Sequence, residues 1–103
     1  MSQIVTETYN VLNTGRKTVT SGGTAEALGS STRIYRLTVQ AETDNTNNVA
    51  VGDSSVVAAA GSERGAILSA GSSVDIYAAD LADVYVDSVT DGEGVTFIYY
   101  TAA

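Results

Sequence analysis

Three short runs in the second half of the chain alternate apolar and polar side chains with a period of two. They cover residues 74–78, 83–87 and 95–100. This period is typical of a β-strand with one buried face, whereas the apolar side chains of a surface helix recur every three or four residues. Only residues 78–83 could form a helical turn, and no longer segment has a helical pattern. The alternation therefore predicts an all-β fold.

The alternation extends into the first half of the chain. Its clearest example covers residues 33–41, where Tyr35, Leu37 and Val39 are expected on one face and Ile34 breaks the pattern. Further candidate strands lie at residues 3–12, 17–20, 24–28 and 49–52. A turn is expected at Asn13-Thr14-Gly15, because Asn and Gly tolerate a positive φ. The small apolar residues 56–60 are expected to form a loop with some strand character.

These segments define the expected architecture. A chain of 103 residues suits one domain and buries roughly two thirds of the surface that its unfolded form exposes. About eight short strands favour an antiparallel two-sheet β-sandwich of the jelly-roll type, with a small barrel as the alternative. We predict a single β-sandwich domain over residues 1–103, in which residues 1–13 form an N-terminal arm or an edge strand.

The chain lacks most of the side chains that enzymes use for catalysis at neutral pH. The chain has no histidine and no cysteine, so a serine nucleophile would lack its histidine base and no thiolate is present. Paired carboxylates alone can hydrolyse a glycosidic bond, but a sandwich of this size has little room for a substrate cleft. We therefore predict that the protein is not an enzyme and uses no cofactor.

Calcium is the one cation whose preferred ligands are plentiful in this sequence. It takes several oxygen ligands, and residues 44–48 and 91–94 are rich in carboxylates, carboxamides and glycine. Neither segment has the spacing of an EF-hand loop, and Asp, Asn and Gly are also common turn residues. We therefore expect turns here and no metal site.

The formal net charge of −7 is concentrated in the second half of the chain. Residues 1–50 carry four basic and four acidic side chains, whereas residues 51–103 carry one basic side chain and eight carboxylates. A negative field repels phosphate backbones and anionic lipids, so nucleic acid and membranes are not expected partners. The first eight residues lack a basic start and an apolar stretch, so we expect synthesis in a cytoplasm.

Tyrosines are the main candidates for a binding surface. If the valines of the three alternating runs face the core, a set of apolar and aromatic side chains faces outward. This set comprises Tyr77, Tyr85, Ile98 and Tyr100. The carboxylates of Asp75, Asp83 and Asp87 should lie beside them, and Ile4 and Tyr9 are further candidates in the N-terminal segment. Contiguous tyrosines would form a patch that fits a protein partner or a sugar ring, whereas scattered ones would be ordinary surface residues.

The second half of the chain resembles a module of small structural proteins of tailed bacteriophages. The resemblance is carried by the segments NVAVGD at residues 48–53, LSAGSSVDI at residues 68–76, LADVYVD at residues 81–87 and DGEGVTFIYY at residues 91–100. These are folding motifs of a β-sandwich, and they carry no catalytic residue. The family implied is the head decoration or cement proteins, followed by fibre and tail accessory proteins. The N-terminal half has no comparable motif.

The resemblance implies a virion structural protein on the capsid surface. Such a protein binds the major capsid protein of the assembled shell. Because these contacts exist only on the assembled shell, binding stabilises the shell by mass action. Multivalent attachment strengthens individually weak contacts, so self-association as a homodimer or homotrimer is expected. The protein would be synthesised in the host cytoplasm and act on the virion.

A carbohydrate-binding, lectin-like module is the alternative from a different functional class. Sandwiches with exposed tyrosines can stack sugar rings on them. The chain has no tryptophan, which makes this alternative weaker than the decoration protein.

Overall fold

Eight β-strands and one 3₁₀ turn form the part of the chain, residues 10–103, that the computed structural model describes. The strands are β1 (Val11–Thr18), β2 (Glu26–Ala27), β3 (Arg36–Ala41), β4 (Val49–Gly52), β5 (Ala66–Leu68), β6 (Ser73–Tyr77), β7 (Tyr85–Ser88) and β8 (Gly94–Thr101), and the 3₁₀ turn is Leu81–Asp83. The first sheet has the strand order β1-β8-β3-β6, and the second sheet has the order β2-β7-β4-β5.

The strand pairing is that of a jelly roll. β1 pairs with β8, β2 with β7, β3 with β6 and β4 with β5, so the chain forms nested antiparallel pairs. β8 also pairs with β3, and β7 with β4, which joins the pairs into two sheets. The prediction of an all-β, antiparallel two-sheet sandwich with short strands is therefore confirmed.

The main core lies between the two sheets and is built by alternate residues of the strands. Leu37 and Val39 of β3 share this core with Val49 and Val51 of β4, and none of the four side chains is more than 2% exposed. Phe97 of β8 is buried in the same cluster. Burying an aliphatic side chain of this size contributes about 1.5–3 kcal/mol, so the facing sheets hold each other through this layer.

The first strand differs from the sequence-based prediction. β1 runs through Asn13-Thr14-Gly15, where the sequence predicts a turn, and it includes the first half of the candidate strand 17–20. Gly15 pairs with Phe97, and a Cβ atom at Gly15 would clash with the Phe97 ring. Glycine is therefore needed here to make room for the ring and not to turn the chain. Residues 11–13 belong to an edge strand, and residues 1–9 lie outside the described part.

A bend at Tyr35 reverses the faces predicted for the start of β3. Ile34 is buried and Tyr35 is 57% exposed, whereas Leu37 faces the core. Tyr35 therefore does not share a face with Leu37. Ile34, which interrupts the alternation in the sequence, is a core residue because the backbone changes direction after it.

The other strands agree with the sequence pattern except for β5. The three alternating runs of the second half correspond to β6, β7 and β8, and the helical turn expected within residues 78–83 is the 3₁₀ turn Leu81–Asp83. β5 has only three residues, too few to show an alternation. In the described part of the chain, no helix is long and apolar enough to cross a membrane.

Candidate functional site: the open face of the first sheet

The outer face of the second sheet is covered by the segment between β4 and β5. This cover segment, residues 53–65, places Val56 and Ala58 against Ala50 of β4 in a small second core. Val57 and Arg64 join its two arms as an isolated antiparallel bridge. Ala50 is fully buried as a result, so the second sheet has packed side chains on both faces.

Asp87 of β7 lies buried beneath this cover, which corrects the prediction that it faces solvent. Its side chain is on the outer side of the sheet, as the alternation predicts, but the residue is only 2% exposed. One carboxylate oxygen accepts a hydrogen bond from the amide of Gly23 at 3.0 Å, and the other accepts one from the amide of Ala58 at 2.9 Å. The carboxylate therefore fastens the β1–β2 loop and the cover segment to β7.

The outer face of the first sheet is open, and one end of it is aromatic. The strand register aligns one residue from each strand across this end. We call this set, Leu12, Tyr100, Arg36 and Tyr77, the aromatic row. Leu12 is 59% and Tyr77 69% exposed. The Tyr35 ring meets the Tyr77 ring edge-on, with 6.0 Å between the ring centroids.

Arg36 is held in the middle of the aromatic row. Its Nη2 donates a hydrogen bond to Asp75 at 2.9 Å, and its guanidinium carbon lies 5.9 Å from the centroid of the Tyr77 ring. Thr38 Oγ1 donates to the other oxygen of Asp75 at 2.7 Å. These bonds from Thr38 and Arg36 hold the pKa of the Asp75 carboxyl below its ordinary value. The Nε atom of Arg36 is the one buried side-chain nitrogen without a hydrogen-bond partner in residues 10–103.

The open face becomes polar and nearly neutral beyond the aromatic row. A shallow trough of about 440 Å³ is lined mainly by hydroxyl, carboxamide and aliphatic groups of Thr14, Thr38, Gln40, Ser73, Thr96 and Ile98. Arg16 at its end is ion-paired with Glu42, and Arg36 is ion-paired with Asp75. Because each of these cations has a carboxylate partner within the chain, the face carries little net charge although the whole chain carries −7.

The structure separates the residues that the sequence groups into one surface. Tyr77, Ile98 and Tyr100 come together on the open face, where Tyr77 and Ile98 are exposed and Tyr100 is half-buried. Tyr85 lies on the second sheet and packs, half-buried, against the small core under the cover segment. Ile4 and Tyr9 lie outside the described residues.

The acidic side of this surface also differs from the prediction. Of the three carboxylates expected beside the tyrosines, Asp75 lies on the open face and is neutralised by Arg36. Asp83 belongs to the 3₁₀ turn, and Asp87 is buried on the other sheet. The aromatic surface is therefore not acidic.

Leu12, Tyr35 and Arg36 belong to this surface but are not among the residues predicted from the sequence. The turn expected at residues 13–15 makes Leu12 the last residue of a candidate strand, residues 3–12, and the bend at Tyr35 is not visible in the alternation. The sequence signal that could have identified Leu12 is Gly15. A strand glycine often marks a close approach by another group, which here is Phe97.

Several carboxylates at the ends of the sandwich accept hydrogen bonds from loops. Glu93 is buried and accepts from Thr46 Oγ1 at 3.1 Å and from the Asn47 amide at 2.9 Å. Asn45 exchanges two hydrogen bonds with the backbone of Gly94. The two segments considered for calcium therefore bind each other. Nowhere in residues 10–103 do three acidic side chains form a group that could hold a metal ion.

Glu26 of β2 connects the two sheets at one side of the sandwich. It accepts hydrogen bonds from the amides of Thr20 and Ser21 and an ion pair from Lys17 of β1, whose Nζ lies 3.0 Å away. Burial alone would raise the pKa of the Glu26 carboxyl. The hydrogen bonds from Ser21, Thr20 and Lys17 outweigh burial and lower this pKa to about 2.

Comparison with known proteins gives no match. No protein-family model, no curated protein and no solved structure matches this chain at a significant level. The function must therefore be inferred from the surface described above and from the resemblance of the strand motifs.

Proposed function

We propose that the protein is a virion structural protein that decorates the assembled capsid of a tailed bacteriophage and stabilises it through non-covalent contacts. The observation that supports this function is the clustering of exposed apolar side chains. In the described part of the chain, the large exposed ones are Val11, Leu12, Tyr35, Tyr77, Val89 and Ile98. Of these, Leu12, Tyr35, Tyr77 and Ile98 lie on or beside the aromatic row, whereas Val11 is on the other face of β1 and Val89 follows β7. Contiguous exposed apolar side chains mark interaction sites more often than scattered ones do.

The composition of the aromatic row fits a protein partner. Tyrosine and arginine are enriched at the centres of protein interfaces, where they contribute a large share of the binding energy. Arg36 is already oriented by Asp75 and Tyr77, so it loses little side-chain freedom on binding.

One outer face of the sandwich is open and the other is covered, which fits a protein that attaches to a capsid shell by one face. The open face can lie against capsid subunits, while the covered face of the second sheet, whose small core is already packed, is directed to solvent. Contacts that form only on the assembled shell stabilise the shell. This stabilisation increases with the concentration of the protein and with its affinity for the shell. The major capsid protein is therefore the proposed partner, and the virion surface is the proposed location.

Co-sedimentation tests this function. The purified protein is mixed with capsids assembled from the major capsid protein of the same genome, and bound protein is measured after centrifugation. We expect binding, and we expect Tyr77→Ala to weaken it at least about tenfold, since truncation of an aromatic hot-spot residue costs about 2 kcal/mol or more. Val89→Ala is the matched control, because Val89 is 52% exposed but lies outside the aromatic row.

Two results would contradict the proposal. One is no co-sedimentation of the wild-type protein, and the other is equal binding by Tyr77→Ala and Val89→Ala. Copy number separates decoration from a fibre or tail accessory role. A stained gel of purified virions should show a band comparable to that of the major capsid protein, whereas a tail component would be present in few copies.

The trough favours a second candidate function, binding of a neutral oligosaccharide. Its hydroxyl and carboxamide groups can exchange hydrogen bonds with sugar hydroxyls, and Ile98 offers an apolar contact for a ring face. A glycan array probed with the free protein tests it. Micromolar binding that is lost in Gln40→Ala, together with no affinity for capsids, would replace the decoration function with this one.

A further inference from the structure

The first sheet ends in a long edge strand. β1 and β6 are the edges of the first sheet, with eight and five residues, whereas β2 and β5 at the edges of the second sheet have two and three. Short edge strands are one way in which proteins avoid pairing with other chains, and a long one presents unpaired amides and carbonyls. β1 is therefore the strand of this fold that is best able to bind another strand.

The geometry of β1 leaves its outer edge regular. All eight residues pair in continuous register with β8, from Val11 opposite Thr101 to Thr18 opposite Gly94, without a bulge. The chain contains no proline, so no residue of β1 lacks an amide donor. No other strand in residues 10–103 pairs with its outer edge. Alternate amides and carbonyls of β1 therefore point away from the sheet.

The order of side chains along β1 is self-complementary. Val11 and Leu12 at its start are exposed and apolar, and Arg16 and Lys17 near its end are basic. Antiparallel pairing with a second copy brings the apolar start of one strand beside the basic end of the other. The methylene stems of Arg16 and Lys17 can then cover the apolar side chains while their charged groups keep their ion pairs with Glu42 and Glu26. Parallel pairing in register would instead bring like charges together.

We propose that β1 binds β1 of a second copy of this chain in antiparallel register, about a two-fold axis through Thr14. Opposed residues of an antiparallel pair lie on the same face of the sheet, which restricts the register to even shifts. The register centred on Thr14 places Leu12 opposite Arg16 and leaves no like charges opposed. Residues 11–17 of the two copies can form roughly seven main-chain hydrogen bonds, within the usual range of about 5–15 for a protein interface.

The pairing would give the dimer two docking surfaces on one side. The axis is perpendicular to the joined sheet, so both open faces and both aromatic rows point the same way. Two linked sites bind a repetitive lattice more tightly than one site does. The dimer itself is inferred from β1 alone, whereas its role in bivalent attachment rests on the proposed function.

A cysteine cross-link tests the register. The chain has no native cysteine, and Thr14→Cys would place two thiols opposite each other at the axis, within about 4.5–5.5 Å between Cα atoms. We expect mild oxidation to give a covalent dimer of Thr14→Cys on a non-reducing gel. Ser73→Cys is the matched control, because Ser73 is an exposed residue of β6, the other edge of the same sheet. Ser73→Cys should run as a single chain on the same gel, because its thiols lie far from the proposed axis.

The unmodified chain provides a second measurement. Light scattering during size-exclusion chromatography should give twice the mass of one chain at high concentration and a single-chain mass on dilution. Thr14→Lys opposes two cations at the axis and should weaken the dimer at least about tenfold. Ser73→Lys adds the same charge to the exposed face of β6, the other edge of the sheet, and should leave the dimer unchanged.

A single-chain mass at all concentrations, or a cross-link in Ser73→Cys that exceeds that in Thr14→Cys, would overturn the inference. Protection of the β1 amides from hydrogen exchange that does not change with concentration would also overturn it, since the edge would then be paired within one chain. Capsid binding by a monomer would remove only this inference. A dimer without capsid binding would remove only the proposed function.

Discussion

The outer face of the second sheet is covered, whereas the outer face of the first sheet is open. The second sheet is covered by residues 53–65 of its own chain, which bury Ala50 and Asp87. The first sheet has no such cover in the described residues and exposes Leu12, Tyr77 and Ile98. Stability should therefore depend on the outer face of the second sheet and binding on the outer face of the first. Side chains alternate in the same way in both sheets. Their outer faces differ because a loop covers only the second sheet.

The largest difference in stability between the two faces is expected when the Asp87 carboxylate is removed. Asp87→Ala leaves the buried amide of Ala58 without its acceptor, at about 1–3 kcal/mol. It also removes the hydrogen bond from the Gly23 amide, which keeps the Ser88 carbonyl as an acceptor, at about 1.5 kcal/mol. We therefore expect a loss of about 4 kcal/mol. Asp75→Ala on the open face removes an exposed ion pair and should cost less than about 1 kcal/mol. Urea unfolding followed by tyrosine fluorescence measures both. Equal losses would show that the two faces do not differ in this way.

The next effect concerns the point where the cover segment returns to the sheet. A Cβ atom at Gly65 would lie 2.5 Å from the Val51 carbonyl oxygen, and its φ of +104° already disfavours other residues. We expect Gly65→Ala to cost about 3 kcal/mol. Gly61 in the same segment has a φ of +85° but open space around it, so Gly61→Ala should cost only about 1 kcal/mol. Thermal unfolding of the two variants compares them, and a larger loss in Gly61→Ala would contradict the clash.

Acid should weaken the link that Glu26 forms between the sheets. Its pKa of about 2 lies below the ordinary value of 4.5, so the unfolded chain takes up the proton at a higher pH than the folded chain does. The stabilisation is complete above pH 4.5 and is lost as the pH falls towards 2. Glu26→Gln should cost about 2 kcal/mol at pH 7 and show a flatter decline of the urea midpoint in this range. A parallel decline in both proteins would exclude Glu26 as the cause.

The smallest effect should come from shortening an apolar side chain on each face. Val56→Ala removes two methyl groups that anchor the cover segment, where Val56 is 4% exposed, and should cost about 1.5 kcal/mol. Ile98→Ala removes more atoms from the open face but should cost less than about 0.5 kcal/mol. Ile98→Ala should instead reduce capsid binding, which Val56→Ala should leave intact. A larger loss of stability in Ile98→Ala, together with a loss of capsid binding in Val56→Ala, would contradict this division between the faces.

The sequence predicts the strands well where local alternation and the core agree. β6, β7 and β8 each alternate, and their valines and Phe97 do face the core. Gly15 shows a limit, because its role depends on a ring that lies more than eighty residues away in the chain. Asp87 shows another, since its side of the sheet follows from the alternation whereas its burial depends on Ala58. Contacts between distant residues leave no periodic trace, so the covered and open faces look alike in the sequence.

The nested strand pairing has a consequence for synthesis of the chain. β8 lies between β1 and β3 in the first sheet, yet it is translated after all the other strands. Until residues 94–101 have left the ribosome, β1 has no neighbour among the described strands, and Leu37 and Val39 lack part of their cover. Such long-range pairing closes slowly, so the nascent chain passes through an incomplete stage with two open strand edges. Translation that stops before β8 should therefore yield aggregating chains and not a smaller folded protein.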